Sequence, residues 1–451
     1  MRWFVITSSL ILVTAFVSVV GCAKKDSAVK PNAYNEIAIA MGRGNIDDLP
    51  NCSKTKCPFD INELASAVAD RIQWKLENSL VKATLCEKEA RNKYVYTQYA
   101  CAQLINADAA GLFGVYGEKT TFPVLIESIK QLYLHRAFGL TGSMKHDANI
   151  ARGIEFKQTY IPKPSISYDN SVQAINIFGR RVTNYGAIKT IHSSLLLSAE
   201  MLFPSAVVKI NGEDFSMRVD TNSQGTGLYP EAARRAKVYY LKNFTRITRD
   251  GSGKVMHLPQ AILRSFVFAN VNVSHMVVDI FPKDSTTRAD GVIGLDVLDK
   301  MHAFEISGNK LILHRKPPKL CSRRFSIGSD FGGDIYGIIA HGTTFNGHPA
   351  IAVLDTGNST AAISATQQFA WKYPAEIKHK GFVKLSSGGG VSILPSGVVN
   401  GLITYMGLQN QGKFLVLTNY RKSWVDFNIG APYIYNKDLY IDFDDMKMCI
   451  K

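Results

Sequence analysis

Asp220 and Asp355 each close an apolar run and precede a hydroxyl residue. The runs read Phe215-Ser-Met-Arg-Val-Asp220-Thr221-Asn222-Ser223 and Ile351-Ala-Val-Leu-Asp355-Thr356-Gly357-Asn358-Ser359. One such motif is uninformative, because three residues recur by chance in a chain of 451. Two offer paired-carboxylate chemistry. Carboxylates held side by side resist double ionisation and share a proton. The ionised one draws a proton from water, and the protonated one hydrogen-bonds the carbonyl that the water attacks. Hydrolysis of this kind requires neither a metal nor a covalent intermediate, and no cofactor is expected.

The surroundings repeat as well. An Asn-Gly turn precedes each aspartate at the same offset, with Gly212 before Asp220 and Gly347 before Asp355. A helix-like stretch follows each one, from Pro230 and from Ala365. A glycine-rich hairpin tip comes next, Asp250-Gly251-Ser-Gly253 and Ser386-Ser-Gly388-Gly389-Gly390. Each half then reaches an apolar run into glycine, Asp290-Gly-Val-Ile-Gly294 and Asp426-Phe-Asn-Ile-Gly430. Landmarks in register read as an internal duplication. The Thr221 and Thr356 hydroxyls are placed to bond across the pseudo-dyad and lock two loops together.

From about residue 200 to 451 the chain resembles the aspartic proteases, specifically bacterial retropepsin-like proteins in a fused, two-lobed, pepsin-like arrangement. The segments that carry the resemblance run from Val208 through Thr226, Asp290 to Leu298, Asn346 to Ser364, and Asn428 to Ile434. The resemblance implies a catalytic dyad of Asp220 and Asp355. Thr221, Asn222, Ser223, Thr356, Gly357 and Asn358 then build the active-site loops. The tips at Gly251, Gly253, Gly388, Gly389 and Gly390 correspond to flaps over the cleft. Two positions depart from the pattern. Asn222 stands where the family has glycine, and Asn tolerates a left-handed backbone. Asn358 stands where the first half has Ser223. The implied function is an aspartic endopeptidase acting on polypeptide, with a dyad complete in one chain and no need to dimerise. The alternatives are a weak or inactive protease-like lipoprotein that binds peptide, and an envelope lipoprotein using both halves only as scaffold.

The first residues are not expected to belong to that fold. Met1-Arg2 leads into an apolar run from Trp3 to Val20, ending Val19-Val20-Gly21-Cys22, with Ala23-Lys24-Lys25 restoring polarity. A secretory signal with a small residue before cysteine resembles a bacterial lipobox. The resemblance implies lipidation at Cys22 and a bacterial envelope location, with Ala23 pointing to the outer membrane. An uncleaved anchor is the alternative. Six of the seven cysteines remain, an even number suited to an oxidising compartment. Six cysteines allow fifteen pairings. Proximity favours Cys52 with Cys57 and Cys86 with Cys101, which leaves Cys321 and Cys449.

The expected architecture is α+β and multidomain. Residues 1–21 form the signal, 22–34 a tether and 35–160 a helical domain. Two all-β, aspartic-protease-like lobes follow at 161–318 and 319–451. Leu64, Val68, Ile72 and Leu76 form one helical stripe within 61–85, and further helical patterns cover 87–112 and 121–138. Lys316-Pro-Pro-Lys319 is a natural lobe boundary. The formal charge of +15 favours anionic surroundings. Nucleic acid is not expected as a partner, because no basic cluster is interleaved with aromatics. Cys52 and Cys57 lack histidines at zinc-ligand spacing, so no metal is expected. Gly114 to Thr120 lacks the contiguous Gly-Lys-Ser/Thr of a phosphate loop, and no Gly-x-Ser-x-Gly elbow occurs.

Overall fold

A computed structural model describes residues 31–50, 52, 57–90, 164–181, 202–250, 255–282, 289–314, 321–329, 335–359, 361–387, 390–417, 424–435 and 437–451. It also describes Thr97, Gln98, Ala100, Cys101, Leu104, Ile105, Asp108 and Leu112. Cys22, the tip glycines Gly251, Gly253, Gly388 and Gly389, the pattern at 121–138 and the boundary at 316–319 lie outside the described residues. Helices occupy the N-terminal part and the rest is mainly β. No helix among the described residues is long and apolar enough to cross a membrane.

Period-two alternation makes the strands. In Glu213–Val219, Phe215, Met217 and Val219 are buried, while Ser216 and Arg218 are less so. Asn211-Gly212 and Asn346-Gly347 close two-residue turns with positive φ at both positions, 52° and 93° in one, 48° and 81° in the other. That primed geometry matches the twist of a tight hairpin. Ile210 therefore pairs with Glu213, and Phe345 with His348.

Glu213–Val219 runs parallel to Gly291–Ile293. Gly227–Leu228 lies antiparallel to Gly291–Ile293 and parallel to Val271–Ile280. The same pairing pattern recurs downstream. Ala352–Asp355 runs parallel to Phe427–Gly430, and Ile363–Ala365 is antiparallel to Phe427–Gly430 and parallel to Leu408–Leu417. A long hairpin lies between the members of each set. Tyr239–Arg249 pairs with Val255–Phe268, and Lys378–Ser387 with Gly390–Tyr405.

A six-stranded antiparallel sheet joins the two regions. Its centre is the pair Ala303–Ser307 and Leu439–Asp442, with Phe304 opposite Ile441. Lys310–Leu313 and Ala174–Arg181 extend it on one side, Lys447–Ile450 and Arg323–Ser329 on the other. One apolar cluster runs through both regions and includes Phe215, Val219, Ile293, Phe304, Leu354, Phe427 and Ile441.

The helical stripe expected over 61–85 is two helices, Phe59–Ile72 and Leu76–Ala90. Trp74 breaks it by taking φ 57°. The Trp74 and Lys75 N–H groups close the turn on the Arg71 and Asp70 carbonyls at 2.8 Å each. Leu64, Val68 and Ile72 pack in the helical core, whereas Trp74 and Leu76 turn into the β core. The Trp74 indole donates to Asp299 at 2.9 Å, and Arg71 Nε to Ser329 Oγ at 3.1 Å. The helices are thus bonded to Asp299, just before Ala303–Ser307, and to Ser329 at the end of Arg323–Ser329. A further helix, Pro31–Arg43, begins inside the segment expected as tether.

Cys52–Cys57, Cys86–Cys101 and Cys321–Cys449 form disulfides. The last spans a sequence separation of 128 and ties Lys447–Ile450 to the segment entering Arg323–Ser329. Replacing both cysteines by serine should lower stability by up to about 5 kcal/mol, the chain-entropy value for so long a loop. Denaturant unfolding of the double variant measures this, and an unchanged midpoint would contradict it.

Candidate active site

Parallel strand pairing delivers both aspartates. Asp220 follows Glu213–Val219, and its N–H donates to the Ile293 carbonyl at 3.0 Å. Asp355 ends Ala352–Asp355 opposite Gly430. Both are largely buried, at 8% and 6% exposure.

A second pair of carboxylates brackets the delivery strands from behind. Asp290 accepts the Ser216 N–H at 2.7 Å and pairs with Arg235 at 3.0 Å. Asp426 accepts the Ile351 N–H at 2.9 Å and pairs with Lys372 at 2.7 Å. Both cations come from the helix-like stretches read in the sequence, Pro230–Arg235 and Gln367–Lys372. Thr366 caps the second helix by accepting the Gln368 N–H.

The two loops interlock through their threonines. Thr221 N–H donates to Thr356 Oγ1 at 3.0 Å, and Thr356 N–H to Thr221 Oγ1 at 3.1 Å. Each hydroxyl then donates across the seam, Thr221 to the Leu354 carbonyl at 3.0 Å and Thr356 to the Val219 carbonyl at 2.8 Å. Both threonines are fully buried. Four buried backbone groups are bonded by the two hydroxyls here.

Asn222 touches both aspartates. Its backbone N–H donates to Asp220 Oδ1 at 2.9 Å, and its side-chain amide to Asp355 Oδ2 at 2.8 Å. Gly357 occupies the matching place in the other loop. A Cβ there would fall 2.1 Å from Asp220 Oδ2, so only glycine fits against that carboxylate. Asn222 therefore puts an amide on Asp355 where Gly357 leaves the Asp220 side without a side chain. The Asn222 side-chain oxygen is buried beside Gly337 and has no hydrogen-bond partner among the described residues.

Ser223 and Asn358 hold the two turns. Ser223 Oγ donates to the Gly225 carbonyl at 2.8 Å. The Ser223 and Asn358 carbonyls accept from Leu295 and Ala431, both at 2.8 Å. Gly390 pairs with Ser387 at the mouth of its hairpin. Two site residues were missed by sequence reasoning. Arg218 Nη2 lies 3.5 Å from Asp220 Oδ2. Asn428 donates to Asp355 Oδ2 at 2.8 Å and accepts from the Asn358 amide at 2.9 Å. Each left a signal: a charged residue two before Asp220 on a half-buried strand, and an asparagine inside an apolar run where the first half has Val292.

Behind Asp220, Asp296 is buried and accepts both the Thr226 N–H at 2.9 Å and its hydroxyl at 2.7 Å. Burial outweighs these bonds and pushes its carboxyl up to about 7. Asp279 beneath the first hairpin is also raised by burial, although Arg246 approaches to 2.7 Å and opposes the shift.

Residues 206–297 match the family model described as aspartyl protease, and this segment contains Asp220, Thr221 and the strand Gly291–Ile293. The fold is aspartic-protease-like. Among solved structures, basic 7S globulin from soybean is similar at 11% identity and TM-score 0.35, over 62% of this chain and 94% of that one. The aspartic proteinase from Irpex lacteus aligns at 10% identity and TM-score 0.35, over 61% and 96%. A retropepsin-like aspartic protease from Rickettsia conorii aligns at 14% identity and TM-score 0.19, over 34% and 94%. No curated protein matches the chain significantly.

Thr356→Val keeps the shape and removes the hydroxyl, leaving the Val219 carbonyl and Thr221 N–H buried without it. Each orphaned group costs about 1–3 kcal/mol, so stability should fall by about 2–6 kcal/mol. Thr356→Ser should stay close to wild type. Equal stability of the valine and serine variants in denaturant would contradict the interlock.

Proposed function

We propose that this protein is an aspartic endopeptidase whose two halves arose by internal duplication and supply Asp220 and Asp355 as one dyad. The observation that carries the reading is the single residue Asn222, which hydrogen-bonds both carboxylates. The two carboxylates are thus held by the two ends of one short residue, and the proposed water lies between them. The reciprocal threonine bonds support it by fixing the loops on which the aspartates sit.

In the proposed reaction a water lies between the carboxylates, which share one proton. The ionised carboxylate accepts a proton from the water as its oxygen attacks the scissile carbonyl carbon. The protonated partner donates to the carbonyl oxygen, giving a neutral tetrahedral diol. One carboxylate then returns a proton to the amide nitrogen while the other takes one from the diol, the C–N bond breaks, and amine and carboxylic acid leave. The two long hairpins are proposed as flaps that close over an extended polypeptide and exclude water.

The proposed location is the bacterial envelope, with lipid on Cys22 anchoring the chain to the outer membrane. The Gly21-Cys22 junction after the apolar run supports it. Cell fractionation of Cys22→Ala should move the protein out of the membrane pool, and an unchanged pool would count against the anchor.

Turnover should require both aspartates and an acidic medium, since activity falls once the shared proton is lost. Asp220→Asn and Asp355→Asn should each remove nearly all cleavage of a peptide library while leaving the thermal melt intact. Asn222→Gly keeps the backbone N–H on Asp220 and removes one of the two amides on Asp355 Oδ2, so cleavage should persist at a reduced rate. Full activity in either aspartate variant would refute the dyad. Absence of cleavage by both folded wild type and Asn222→Gly would refute the enzyme.

A further inference from the structure

We infer that Asn428 and Asn358 are positioning residues that fix the Asp355 carboxylate for the proposed hydrolysis, so the inference rests on the dyad reading above. Asn428 is 3% exposed and lies on Phe427–Gly430, the strand parallel to Ala352–Asp355. Burying an amide is unfavourable unless both of its ends are bonded, and both are. Its oxygen accepts from Asn358, which turns its NH2 group toward Asp355. The orientation is forced, because an ionised carboxylate only accepts.

Packing alone does not explain an amide at this place. The equivalent position in the first half is Val292, opposite Arg218, whereas Asn428 is opposite Val353. The polar and apolar members of the strand pair are exchanged between halves. Each aspartate thereby has one polar partner from its own strand pair, an ion pair with Arg218 at 3.5 Å for Asp220 and a hydrogen bond from Asn428 at 2.8 Å for Asp355. The exchange keeps a polar partner at each carboxylate although the side chains differ in kind and in strand.

The geometry also assigns the oxygens of Asp355. Oδ2 accepts two amide N–H groups, from Asn222 and Asn428, both at 2.8 Å. An sp² oxygen has two lone pairs, and both are occupied. A proton residing on Asp355 therefore sits on Oδ1, and Oδ1 is the oxygen left for water. Asn428 sets the carboxylate plane through Oδ2, and Asn358 holds Asn428 in register.

The test is steady-state kinetics of Asn428→Val, which copies the first half, beside Asn358→Ala, each checked for folding by thermal melt. Asn428→Val should lower kcat by about tenfold to a hundredfold, the range for losing a hydrogen bond to a charged group, with KM little changed. The high-pH limb of its profile should move upward, because a donor that favours the ionised carboxylate is gone. Arg218 and both aspartates, the charged groups at this site, stay in place. Asn358→Ala should shift both readouts in the same direction by a smaller factor, and it decides the matter if Asn428→Val does not fold. Wild-type kcat and an unmoved limb in folded Asn428→Val would overturn the positioning role while leaving the dyad intact. A wild type without turnover would overturn the dyad reading and this inference with it.

Discussion

Each of two buried threonine hydroxyls accepts one backbone N–H and donates to one backbone carbonyl from the opposite loop. These bonds set the distance between Asp220 and Asp355, because each aspartate is the residue immediately before its threonine. The loops cannot separate without leaving backbone groups unpaired in a dry interior, which costs far more than a surface bond is worth. On the far side, Ala303–Ser307 and Leu439–Asp442 pair in one sheet, so the halves are also held by a continuous ladder.

Within that frame the site is asymmetric. Gly357 lies against the Asp220 carboxylate with no room for a side chain, while Asn222 extends an amide to Asp355. Asp220 has a guanidinium beside it, and Asp355 has two amides on one oxygen. A symmetric dyad leaves the choice of proton donor to the substrate. Here the two carboxylates have different neighbours, which under the proposed dyad would bias the roles of general acid and general base before anything binds.

Much of this was legible in the sequence because local chemistry and tertiary contacts agree. Asn-Gly turns, alternating strands, the Asp-Thr pairs and the apolar runs into glycine each leave a short-range signature. The strand pairings and the threonine interlock follow from them. What the sequence concealed depends on long-range registry. The asparagine in the apolar run before Gly430 is visible in the sequence, but its partner, a carboxylate 73 residues away, is not. The break at Trp74 was hidden for a related reason. A continuous apolar stripe looks like one helix, and only the indole's docking on Asp299, 225 residues away, shows why the chain turns there.

The central claim is that Asp220 and Asp355 act on one tetrahedral centre. It is tested most directly by a crystal structure with a peptide isostere bound, in which a tetrahedral hydroxyl replaces the scissile carbonyl. The account predicts that hydroxyl within about 3 Å of a carboxylate oxygen from each aspartate, with the peptide extended beneath the two hairpins. A peptide seated elsewhere, or a hydroxyl bonded to one aspartate and remote from the other, would contradict it.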